Sequence, residues 1–392
     1  MMKKILIWDD TEEPPQGFDK VFLWSGASDK YVNVSRLVEK NADSLRSRYC
    51  GWLDNLGKLS TVKKSVIEAL GIEPGISYWW MSLIYERCNF EKSPHINDII
   101  KYMALTDFLL GRDLQSITLV SRNNALQEVI AFFCKKHHID FKKQTLLNAR
   151  SAKIPRIKSY FYRLPERVKA ILWLCRHLWL RLPLRRVGLD ALQSSTGKIT
   201  FFNYLIKISE RDLSQEHFFS PYWGRLTKFI CDRGQAINWV HIFIDDGSPF
   251  IASTAAELLQ KLNTDPENHE THITLDTFTT WRVVSKTLVS WLRLSSNADD
   301  IEKTLQNAYL DDLIIWPFFV KEWRHTTSGI NAISNLLYLY QLKDALDFMQ
   351  PQSLGLYLRE NQGWELGLIQ AWRKSGNGTL IGYLHSMLRF WD

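Results

Sequence analysis

The chain has 392 residues, 45% apolar and 23% charged, and a formal net charge of +7. This composition excludes a disordered or low-complexity chain and leaves room for two domains, or for one large α/β unit with an insertion. Its five cysteines (Cys50, Cys88, Cys134, Cys175 and Cys231) are scattered without a C-x-x-C pair, which argues against a disulfide framework and fits a reducing compartment.

The opening MMKKILIWDD has too short an apolar run for a secretory signal, and acids follow at once. It reads as the first strand of a cytoplasmic protein. Strands are expected over residues 4–8 (KILIW), 21–24 (VFLW) and 116–121 (SITLVS). Helices are expected over 35–56, 61–70, the aromatic stretch SYWWMSLIYERCNF from Ser77, and 124–136. A second series runs through strands at 198–204 (KITFFNY) and 237–245 (INWVHIFID), a helix over 254–262, a strand at 272–275, helices to about Met349, and a last strand at 380–384. Strands alternating with helices predict a doubly wound parallel sheet. The expected fold class is therefore α/β: a Rossmann-like, mostly parallel sheet flanked by helices. Residues 1–150 form its first part, 151–192 a basic helical insertion and 193–392 its second part.

The charge is concentrated in that insertion. Residues 151–190 hold ten Lys/Arg and two acids, a balance of +8, so the rest of the chain comes to −1. Within ERVKAILWLCRHLWLRL, the apolar Val168, Ile171, Leu172, Cys175, Leu178, Trp179 and Leu182 recur at helical spacing. A bilayer span needs roughly 20 apolar residues, so the stripe is too short to cross. It suits a helix lying in the membrane interface, with Arg167, Lys169, Arg176, Trp179 and Arg181 as contacts. A core helix with solvated arginines would show the same spacing. Nucleic acid is not expected as a partner, because the charge is confined to one amphipathic helix.

Several chemistries lack their motifs. G-x-G-x-x-G after the first strand, the P-loop, G-x-S-x-G and H-E-x-x-H are all absent. D-x-D is absent too, each acid pair being adjacent in sequence, and neither a metal nor a cofactor is indicated.

In an open parallel sheet, ligands gather beyond the carboxyl ends of the strands. Asn203 and Tyr204 end one strand; His241 lies inside the next, followed by Asp245, Asp246 and Ser248. His241 is either a hydrogen-bonded core histidine or a substrate contact, and the acid pair also suits a turn through Gly247 and Pro249. The stretch HFFSPYWGRLTKF places Tyr222 and Trp223 where they either face a sugar or plug the core. Near the end, ENQGWELGLIQAWRKSGNGTLIGYLH puts Glu360 and Glu365 around a helix start. His385 and Ser386 follow at the end of the next strand. Acids at a helix start are also explained by the helix dipole alone. As functional groups, Glu360 suits a general base and His385 a phosphate-contacting donor, with Asn203, Tyr222, Trp223, His241, Asp246, Glu365 and Ser386 around the substrate.

FFNYL, SPYWGRL, NWVHIF, ENQGWELGLIQAW and IGYLHSMLRFWD, in that order, resemble a family of bacterial surface carbohydrate biosynthesis proteins. VNVSRLVEKNADSLRSRYCGWLDNLG and SYWWMSLIYE fit the same family. The family is similar to two-domain sugar transferases of the GT-B type, in which two Rossmann-like domains face across a cleft. The resemblance implies a metal-independent glycosyltransferase building a surface polysaccharide or lipid-linked glycan. It implies a nucleotide-sugar donor such as a CMP-activated acidic sugar, and a glycan or lipid-linked acceptor at the inner face of the cytoplasmic membrane. It further implies that the chain is the acceptor-binding N-terminal part of a longer protein, its donor domain following Asp392. The alternative is a non-catalytic, membrane-associated scaffold of the same shape, since fold does not fix function. A nucleotide-sugar epimerase is a third option that leaves the basic helix unexplained.

Overall fold

In the computed structural model the chain forms two five-stranded sheets, both parallel throughout. The structure describes residues 3–61, 64–85, 95–144, 161, 163–206, 218–245, 251–264 and 269–384.

The first sheet comprises β1 (Lys4–Trp8), β2 (Lys20–Leu23), β3 (Val32–Asn33), β6 (Ser116–Val120) and β7 (Asp140–Gln144), in the order β3-β2-β1-β6-β7. Between β3 and β6 run α1 (Val34–Lys40), α2 (Ala42–Lys58), α3 (Val66–Ala69), a small hairpin of β4 (Gly71–Glu73) and β5 (Ile76–Ser77), and α4 (His95–Leu109). Helix α5 (Asn124–Lys136) joins β6 to β7. Ile5, Leu6 and Ile7 are all fully buried. An unbroken apolar run is what a strand covered on both faces requires, and this forces a parallel sheet between helical layers.

After α6 (Glu166–Leu180), a turn at Leu182–Leu184 and α7 (Leu189–Ser194), the second sheet begins. It comprises β8 (Ile199–Leu205), β9 (Ile237–Phe243), β10 (Glu270–Thr274), β13 (Leu354–Leu358) and β14 (Thr379–Tyr383), in the order β10-β9-β8-β13-β14. Helices α8 (Leu226–Cys231) and α9 (Ala252–Thr264) link its first three strands. All seven residues of β9 are buried. Before β13 the chain leaves this sheet for α10 (Trp281–Leu305), a hairpin of β11 (Tyr309–Leu310) and β12 (Leu313–Ile314), α11 (Trp316–Ser328) and α12 (Ile330–Phe348). Val283, Trp291 and Leu294 of α10, and Phe318 and Phe319 of α11, pack into the core of the first sheet. Helix α12 reaches both cores: Ile333, Leu336 and Leu337 belong to the first, and Leu342, Ala345 and Leu346 to the second. α13 (Gly363–Lys374) then connects β13 to β14.

Both sheets share one strand order, a Rossmann-like arrangement. A second five-stranded sheet therefore lies within residues 199–383, whereas the resemblance sought one beyond Asp392. Four local expectations are corrected. Residues 35–56 form two helices, because Asn41 breaks the run and turns its amide back on Leu37. The stretch from Ser77 gives only a 3-10 turn over Tyr78–Met81, started by the Ser77 hydroxyl accepting from the Trp79 N–H; residues 86–90 lie outside the described residues. The helix expected over 61–70 shrinks to the single turn Val66–Ala69, residues 62 and 63 lying outside the described residues. Strand β13, within a stretch expected to hold no strand, pairs with both β8 and β14.

Candidate functional site

The order β10-β9-β8-β13-β14 reverses its direction of winding between β8 and β13, so a crevice opens where their carboxyl ends part. β8 delivers Tyr204 there. β13 runs out into Arg359, Glu360, Asn361 and Gln362 before α13 starts at Gly363. Glu360 thus sits in the turn between the end of β13 and the start of α13.

This loop is held from within. Glu365 is 4% exposed, and its Oε1 accepts from the backbone N–H groups of Glu360 (2.9 Å) and Gln362 (2.8 Å). With Gln362 as N-cap and Glu365 three residues on, this is a capping box at the start of α13. Burial pushes the Glu365 carboxyl up to about 7, against the pull of the N–H groups around it. Asn361 takes the left-handed conformation (φ 58°) that lets the chain double back. Gly363 admits a close neighbour: a Cβ there would stand 2.6 Å from Asn335 Nδ2 and 2.9 Å from the Met81 carbonyl oxygen. Asn335 in turn donates to the Met81 carbonyl at 3.2 Å. The loop is therefore keyed to α12 and to the 78–85 segment of the first half.

A cavity lies on each side of the loop. One, of about 380 Å3, is lined by Tyr204, Tyr222, Ile242, Tyr338, Glu360 and Trp364, among others. The other, of about 500 Å3, is lined by Trp80, Tyr85, Arg359, Asn361, Gly363 and Leu366, among others, and so lies between the two halves. Gln362 borders both. In the smaller cavity the Tyr204 hydroxyl accepts from Trp364 Nε1 at 3.2 Å. Burial, then the Glu360 charge, pushes that hydroxyl far above its ordinary value. The same two causes raise Tyr222, and burial pushes Tyr338 up to about 12. The cavity thus sets a carboxylate among phenols that remain protonated at neutral pH.

Strand alternation sorts the other expected residues. Tyr204 pairs with Ile242, and both face the smaller cavity; their neighbours Asn203 and His241 point to the opposite face of the sheet. His241 is fully buried there. Its Nε2 stands 3.1 Å from His272 Nδ1, its ring stacks within 5° of the His272 and Trp239 rings, and Phe218 covers it edge-on. Burial, then His272, holds His241 well below 6.5 and neutral. Asn203 Oδ1 accepts from the Ser220 hydroxyl at 2.9 Å and so anchors the aromatic loop. Trp223 is buried edge-on against Phe201. Of the expected site residues, then, Tyr222 and Glu360 line the smaller cavity, and Glu365 borders the larger one. Asn203, Trp223 and His241 are core groups, and Glu365 holds the loop. Asp246, His385 and Ser386 lie outside the described residues. Arg359, Tyr338 and Trp364 were not foreseen. Arg359 and Trp364 follow the hidden strand β13, and Tyr338 sits on a helix buried along most of its length.

Of the expected membrane contacts, Arg167, Arg176 and Trp179 are exposed. Arg167 pairs with Asp299 (2.5 Å), Lys169 with Glu166 (2.6 Å), and the Arg181 guanidinium lies 4.1 Å over the Phe243 ring.

The first sheet has a cavity of its own, about 960 Å3, at the carboxyl ends of β1 and β2. It is lined by Asp9, Asp10, Glu13, Lys30 and Arg122, among others. Asp9 accepts there from the hydroxyls of Ser25 and Ser121, both at 2.7 Å, which ties the end of β1 to that of β6. Among the described residues, no group of three or more His, Cys, Asp or Glu could hold a metal ion. Set against family models, curated proteins and solved structures, the chain matches none of them.

Proposed function

We propose that the chain is a glycosyltransferase of the two-sheet GT-B type, using a nucleotide-sugar donor to extend a surface or lipid-linked glycan. One observation carries this reading: the loop Arg359–Gln362 stands at the switch point of the second sheet with a cavity on either side. The larger cavity offers Arg359, the amino end of α13 and the rings of Trp80 and Tyr85, a set suited to phosphate and a nucleobase. The smaller offers Glu360, held among tyrosines, to an acceptor hydroxyl.

In the step proposed, the acceptor oxygen bonds to the anomeric carbon as the sugar–phosphate C–O bond breaks. The hydroxyl proton passes to Glu360, and the electron pair leaves with the phosphate, which Arg359 receives.

The test begins with calorimetric binding of CMP, UDP and GDP to the purified chain, followed by transfer from the matching sugar nucleotides, a CMP-activated acidic sugar first. Arg359→Ala should weaken nucleotide binding about tenfold or more, the share of one charge-assisted phosphate contact. Glu360→Gln should leave binding intact and slow transfer by about 10²-fold or more. A folded chain that binds none of the nucleotides refutes the reading and leaves the non-catalytic scaffold.

A further inference from the structure

The apolar stripe of α6 faces outward. Ala170, Leu174 and His177 make its buried side, while Val168, Ile171, Leu172, Cys175 and Trp179 are exposed, as is Leu182 just beyond the helix. A second helix presents a similar stripe: Trp281, Val289 and Leu292 of α10 recur at helical spacing and are exposed. The two helices flank α12 and run antiparallel, tied at both ends. Arg167 of α6 reaches the Ser295 carbonyl and Asp299 of α10, and Arg185, past the other end of α6, lies over the Trp281 ring.

Two exposed apolar stripes thus lie on helices bridged by the Arg167 and Arg185 side chains, and each carries an exposed indole, Trp179 (69% exposed) and Trp281 (77%). From residue 163 to 186 the chain carries seven Lys/Arg against one acid, Glu166. Arg176 and Lys286 are exposed and have no acidic partner among the described residues. Among the described residues no helix is long and apolar enough to cross a membrane.

We propose that the joint outer face of α6 and α10 docks in the plane of an anionic lipid bilayer. Leucine, isoleucine and valine side chains enter the acyl boundary, the two indoles settle at the interface, and Arg176 and Lys286 meet the headgroups. Charge decides the occupant. A symmetric contact between two copies would set each basic face against itself, whereas an anionic lipid surface neutralises it. The inference stands independently of the transferase reading.

The test is co-sedimentation of the whole chain with vesicles of phosphatidylcholine, with and without phosphatidylglycerol. Binding is expected to the anionic vesicles, to fall with added salt, and to be far weaker on neutral ones. Trp179→Ser with Trp281→Ser should lower partition about tenfold or more, and Arg176→Ala with Lys286→Ala should remove the preference for anionic lipid. These side chains are exposed, so the fold should survive, as checked by circular dichroism. Failure to bind anionic vesicles overturns the proposal, as does binding that the Trp pair leaves unchanged. So does a wild-type dimer in light scattering that Trp179→Ser dissolves, for the face is then an interface between copies.

Discussion

Glu365 offers the sharpest perturbation of the site, because its carboxylate holds the loop on which Glu360 stands. Its Oε1 is shared by the N–H groups of Glu360 and Gln362. Glu365→Ala strands both donors, at about 1–3 kcal/mol for a buried unpaired group. The loop residues are only half-buried, so water recovers part of this, and about 2–3 kcal/mol in all is expected. Glu365→Gln keeps an acceptor oxygen and should cost far less at neutral pH. The two variants separate further with pH. Burial raises the native carboxyl to about 7 from 4.5. Below 4.5 both native and unfolded chains hold the proton; between 4.5 and 7 only the native chain does. The stability this group contributes is therefore complete below the lower value and is lost as pH rises through the upper one. At ~1.4 kcal/mol per pH unit, the gap between the two values sets a ceiling of about 3 kcal/mol. Urea unfolding on both sides of this window, at about pH 4 and about pH 8, gives the measurement. Wild type should lose stability relative to Glu365→Gln as pH rises across it. Parallel pH profiles for the two proteins would refute the assignment.

Three further outcomes follow from the same geometry. Gly363→Ala drives a methyl group onto Asn335 and the Met81 carbonyl, and should destabilise the fold by about 1–3 kcal/mol in urea titration; it should also weaken nucleotide binding by shifting the loop. His241, held neutral by burial, stays unprotonated below pH 6.5 while the unfolded chain takes up a proton, so stability falls on acidification; His241→Gln should flatten that acid limb, which otherwise steepens by up to ~1.4 kcal/mol per pH unit. Tyr204→Phe removes a hydroxyl beside Glu360 but leaves the ring packing, so transfer should slow while thermal stability shifts by only about 1 kcal/mol.

The strands that carry both sheets were largely legible where apolar residues dominate a short run, as in KILIW and INWVHIF, because a strand covered on both faces must read that way. LGLYL was not legible. Five residues with an inner glycine, following Pro351, are too short and too plain to distinguish from a loop, yet that strand sets the switch point and carries Glu360 to it. Alternation makes Asn203 and His241 share a face from the sequence alone. Which face bears the cavity depends on what covers the sheet: Phe218 and Trp223, between β8 and β9, cover one side, but Tyr338 and Trp364, which cover the other, lie far along the chain. Helix α6 poses the same problem. Its apolar residues recur at helical spacing, but Ala170, Trp173 and Leu174 broaden them almost around the helix, so periodicity could not say which arc faces inward. The three-dimensional placement of α11 and α12 decides that.

Helix α12 has a mechanical consequence. Its first half is buried under one sheet and its second half under the other, so a single rod is clamped at both ends. Two bodies joined by a flexible strap can close on a ligand by rotating as rigid pieces; here such a rotation would bend a helix through its buried middle, at Leu339, Tyr340 and Gln341. Admission to the crevice therefore falls to side chains and to the short Arg359–Gln362 segment, not to a swing of one half against the other. Unfolding should be shared in the same way. When either half melts, α12 loses half its cover and the other half loses a wall, so one cooperative transition replaces the two that separate domains would give.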